Sequence, residues 1–61
     1  MARFVYDFPD HWKRTEFVLA LNAYNVPALE VFTPGRTQAA IYIDEDERER
    51  VDAIARQYGW K

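Results

Sequence analysis

Along this chain apolar side chains recur at every second residue in three places and at every third or fourth residue in two. Over residues 3–8, Phe4, Tyr6 and Phe8 fall on one side while Arg3, Val5 and Asp7 fall on the other. A period of two in β-favouring residues predicts a strand, and Pro9, which offers no N–H to a ladder, ends it. Residues 28–33 and 37–43 alternate in the same way. Between them Thr33-Pro34-Gly35-Arg36 places Pro and Gly at the two central positions, which suits a type II turn. A hairpin follows, with a loop slightly longer than the tightest kind, because two-residue hairpins favour other turn types.

The helical spacing appears first in Phe17, Ala20, Leu21 and Tyr24, which predict a helix over residues 11–25. Asp10 is placed to cap its start. Asn25-Val26-Pro27 closes it, since the residue before a proline avoids the α region. The second helical run opens on Asp44-Glu45-Asp46-Glu47, where Asp44 and Glu47 have the spacing of a capping box and the acids complement the helix dipole. Val51, Ile54, Ala55 and Tyr58 form its apolar stripe, and Gly59 followed by Trp60 marks its end. Ion pairs are expected four residues apart, Asp46 with Arg50 and Asp52 with Arg56.

The order strand, helix, strand, strand, helix predicts an α+β, two-layer βαββα chain forming a single domain over residues 1–61. A right-handed crossover leaves room for the third strand between the first two. The expected sheet is therefore three-stranded, antiparallel or mixed, in order 1-3-2, with both helices on one face. That is a ferredoxin-like arrangement without its fourth strand. With 61 residues and no cysteine, no disulfide can staple the fold. The support available is an aromatic-rich core, drawn from four Phe, four Tyr and two Trp, or a second subunit.

Assigning faces carries the reading from fold to function. If Phe4, Tyr6 and Phe8 face the helices, then Leu29, Val31, Ala39, Ile41 and Ile43 join them. The opposite face then presents Val5, Glu30, Phe32, Gln38, Ala40 and Tyr42. Its apolar members, Val5, Phe32, Ala40 and Tyr42, are the candidate partner-binding surface, with Trp12 or Trp60 as neighbours. The first strand would also have one unpaired edge, open to strand addition or to a second copy.

Candidate chemistry narrows the field further. Serine and cysteine are both absent, and the threonines at 15, 33 and 37 have no base nearby in sequence, so no nucleophile is activated. His11 has no partner His or Cys for a metal. The acidic run 44–47 lacks the glycine of a calcium loop. Only Gly35 and Gly59 exist, too few for a phosphate cradle. A net charge of −2 with scattered basic residues gives no electrostatic reason for nucleic acid or an anionic membrane. No run of about 18 apolar residues is present.

The chain resembles the small prokaryotic signal-transducing domains that are ferredoxin-like and loosely related to the PII regulators. The likeness lies in Asn25-Val26-Pro27-Ala28 and in Ile41-Tyr42-Ile43-Asp44-Glu45-Asp46-Glu47 leading into a helix with Val51, Ile54 and Ala55. It departs from that family at Phe8-Pro9-Asp10-His11-Trp12. The resemblance implies a fold and a regulatory character, not a reaction. The resulting expectation is a non-catalytic regulatory or adaptor domain in the cytoplasm, without cofactor or metal. It would bind a protein partner and self-associate as a homodimer. The alternatives are a small-molecule sensor with a pocket at a dimer interface, or a sheet-face binder of single-stranded RNA.

Overall fold

The computed structural model describes residues 2–28, 31–32 and 35–60, the side chains of Val31 and Phe32 excepted. Strand β1 spans Ala2–Asp7, helix α1 His11–Ala23, β2 Val31–Phe32, β3 Gln38–Ile43 and helix α2 Arg48–Gln57, with a 3-10 turn at Glu45–Glu47 before α2.

The sheet corrects the sequence-based expectation. Its substance is a two-stranded antiparallel ladder of β1 and β3, running from Ala2↔Ile43 to Asp7↔Gln38. Among the described residues, the run expected as a full strand over 28–33 contributes the pairs Val31↔Ile41 and Phe32↔Ala40. Among the described residues β2 joins the far side of β3, in the order β1-β3-β2, but a sheet of three comparable strands, and with it a ferredoxin-like sheet lacking only its fourth strand, is not found. Ala28 donates its N–H to Val26 O at 2.9 Å, so the chain turns tightly across Pro27, at the first residue of the expected strand. Leu29, Glu30, Thr33 and Pro34, and with them the expected turn, lie outside the described residues.

Both helices end on the same device. Asn25 adopts φ 55°, Asn25 N–H reaches Asn22 O at 3.1 Å and Val26 N–H reaches Leu21 O at 3.0 Å. Gly59 adopts φ 98°, with Gly59 N–H on Arg56 O at 3.2 Å and Trp60 N–H on Ala55 O at 3.2 Å. These are Schellman closures, and the following residue of each, Val26 or Trp60, packs back on the core. At the start of α1 the Asp10 carboxylate accepts from Lys13 N–H at 2.9 Å, as a capping residue should. The capping box at Asp44 does not form. Glu47 N–H bonds the Asp44 backbone oxygen at 2.9 Å instead, and α2 begins only at Arg48, after the 3-10 turn.

That displaced start also reassigns the ion pairs. Arg50 meets Glu47 at 3.3 Å and Arg48 meets Asp52 at 3.8 Å, while Arg56 lies over the Trp60 ring at 5.5 Å. A second Arg50 nitrogen donates to the Tyr24 carbonyl at the end of α1, joining the two helices where α1's dipole is negative.

The core lies between the helices and one face of the ladder. Phe17, Ala20 and Leu21 from α1 and Val51, Ile54 and Ala55 from α2 pack on Tyr6, Phe8, Ala39, Ile41 and Ile43. Tyr24, expected on the α1 stripe, is 49% exposed, because the helix ends there and its last side chain passes the edge of the core. Phe17 is the centre, with its ring 5.3 Å from that of Tyr6 and 4.9 Å from that of Phe8.

Tyr6 combines an apolar body with a polar tip. Its ring is almost wholly buried, and its hydroxyl donates to Asp52 at 2.5 Å. Burial first, then the neighbouring Asp52 carboxylate, push its phenol well above the ordinary value near 10. A group whose folded-state value is raised contributes its full stability below the unfolded value and loses it as pH rises beyond that. Stability is therefore expected to stay level on this account up to about pH 10 and to fall above it. Tyr6→Phe should cost about 1.5 kcal/mol at neutral pH and should flatten that alkaline decline. Urea titrations of both proteins across the alkaline range would check this, and an equally steep decline in the variant would contradict it.

Candidate functional site

The candidate surface is built on the outer face and free edge of β1. Phe8 N–H donates to Thr37 O at 2.9 Å, so the backbone groups of even-numbered residues turn towards β3. In an antiparallel strand these directions alternate. The N–H and C=O groups of Val5 and Asp7 therefore turn away from β3, and no bond fills them among the described residues. Val5 is 42% exposed, and Arg3 and Asp7 are exposed on either side of it.

Beside this edge opens a cleft of about 450 Å³, lined by Val5, Asp7, Phe8, Pro9, Gly59 and Trp60. Trp60 comes from the helix side of the ladder, where its ring meets Tyr6 edge-on at 4.8 Å. Val5 and Asp7 belong to the opposite side. A lining drawn from both faces places the cleft along the edge of β1. The approach of Pro9 to Gly59 shapes its floor, since a Cβ on Gly59 would lie 2.9 Å from Pro9 Cγ.

The four residues read from the sequence as a docking patch do not make one continuous apolar surface. Val5 is exposed and Tyr42 is half-buried. Ala40 exposes 0% of its surface and touches no solvent, which removes it as a direct contact. It sits on the central strand β3, with Val5 of β1 opposite on one side and Phe32 of β2 opposite on the other. The Phe32 side chain lies outside the described residues. Trp60 proves to be part of the cleft, whereas Trp12, 68% exposed, has its ring 4.8 Å from that of His11 and does not line it. Sequence reasoning missed the cleft itself. Its one local signal was the pair Pro9 and Gly59, both read as terminators and not as two walls of one opening.

Among the described residues no group of three or more His, Cys, Asp or Glu side chains is placed to hold a metal ion. Among the described residues, too, no helix is long and apolar enough to cross a membrane. Compared with known protein families, curated proteins and solved structures, the chain gives no significant match.

Proposed function

We propose that this chain is a non-catalytic regulatory or adaptor domain that binds a protein partner by adding the partner's extended segment to the open edge of β1. The observation that carries this reading is the pair of backbone positions, Val5 and Asp7, that no bond fills among the described residues and that face an open cleft. An added strand gains affinity from main-chain bonds and selectivity from the pockets that receive its alternate side chains. Trp60 and Pro9 provide apolar walls for such side chains, and Asp7 provides one charge at the rim. The resemblance to small signal-transducing domains supports a regulatory role, and a chain held together without disulfides suits the cytoplasm. The lack of Ser and Cys, with His11 committed to its stack on Trp12, supports a role outside catalysis.

Selection of random peptides on the purified domain tests the proposal. Selected peptides are expected to shift the backbone amide resonances of Val5 and Asp7 more than those of Phe4 and Tyr6. Val5→Pro should abolish that binding while the domain stays folded, because the amide it removes points off the sheet and edge positions tolerate proline. Peptides that bind equally to Val5→Pro would sink the reading.

A further inference from the structure

The free edge of β1 carries a charge pattern that matches its own reverse. Arg3, Val5 and Asp7 occupy the outward positions, with a cation on one side of an exposed valine and an anion on the other. We infer that the segment added to this edge is β1 of a second copy of this chain, antiparallel and centred on Val5. The inference rests on the strand-addition reading and names its partner.

In that register Val5 lies opposite Val5 of the second copy, Arg3 opposite its Asp7, and Asp7 opposite its Arg3. Residues with outward backbone groups then meet their like, which an antiparallel ladder requires for each facing pair to exchange two bonds. The alternatives that keep this parity are worse. A slip of two residues sets a charge against Val5, and a slip of four sets Arg3 against Arg3 or Asp7 against Asp7. Opposite charges directly across an antiparallel pair are favourable and like charges are not. Edge strands that avoid pairing commonly carry charges that repel a copy of themselves. This edge carries charges that accept one.

The same pairing keeps the two faces in step. Phe4 would lie opposite Tyr6 of the second copy on the helix side, so both helical layers fall on one side of a continuous sheet. Arg48, already over the Phe4 ring at 4.8 Å, would then stand near the seam.

Sedimentation equilibrium of the full chain and a set of charge exchanges decides the matter. The wild type is expected to form dimers. Asp7→Arg, which places like charges across both ends of the seam, should weaken dimerisation about tenfold or more. The double variant Arg3→Asp/Asp7→Arg should restore it. An equal mixture of Arg3→Asp and Asp7→Arg should form mixed dimers more readily than either variant pairs with itself. Circular dichroism confirms that each variant is folded. A wild type that stays monomeric at the highest attainable concentration overturns the self-pairing, as does a dimer indifferent to Asp7→Arg. If the monomeric wild type still captures selected peptides at Val5 and Asp7, self-pairing alone falls. If a dimer forms and survives Val5→Pro, the edge is not the contact and self-pairing is overturned.

Discussion

Phe17→Ala is expected to destabilise the chain by about 3–5 kcal/mol, the greater part of the stability that a domain of this size has. Phe17 has no exposed surface, and its ring touches those of both Tyr6 and Phe8. Removing a buried phenyl group costs about 3–5 kcal/mol through lost transfer energy and the cavity left behind. A chain of 61 residues has a stability of only about 3–9 kcal/mol at the usual 0.05–0.15 kcal/mol per residue. Collapse into the gap offers little relief. Ile41, Ile43 and Val51 are themselves fully buried, and the tyrosine ring is held by its bond to Asp52. Far-ultraviolet circular dichroism with urea titration would measure the effect. A cooperative transition within about 1 kcal/mol of the wild type would show that Phe17 is not the centre of the core.

Gly59→Ala is expected to destabilise the domain by about 2–3 kcal/mol, from two independent causes. The φ of 98° at this position is one that a side chain strains to adopt. The new methyl group would also lie 2.9 Å from Pro9 Cγ and 3.0 Å from Cδ, atoms of a ring that cannot swing aside as a long side chain could. For a domain of this size a loss of this order lowers the melting temperature by roughly 8–24 °C. The residue matters twice, because the turn it permits brings Trp60 back against Tyr6 and forms one wall of the cleft. Pairing Gly59→Ala with Pro9→Ala separates the two causes. The second change should recover part of the loss, by removing the clash, and leave the backbone strain in place. No recovery at all would mean that the backbone angle alone is responsible.

Much of this architecture could be read from neighbouring residues. Asp10 before an apolar stripe, Gly59 before Trp60, and the alternation of Phe4, Tyr6 and Phe8 each state a local rule, and the structure follows them. The end of α1 was legible at the right place for a different cause. Pro27 marked the boundary, but Asn25 in the left-handed region makes the stop, and Pro27 serves the turn that follows it. The acidic start of α2 was legible as a helix signal and not as the 3-10 turn that moves its ion pairs out of the expected register.

Local patterning on its own established which residues are helical, which alternate, and which side of β1 and β3 turns inward, because each of these depends on contacts within a few residues along the chain. Folding in three dimensions settled the rest: that Ala40 loses all contact with solvent, that Asp52 serves Tyr6 and Arg48 in place of Arg56, and that Pro9 and Gly59 flank one cleft. Tyr6 and Asp52 stand 46 residues apart. Periodicity has no reach over such a distance, since a side chain's face is set by its own strand or helix but its neighbours are chosen by how those elements pack.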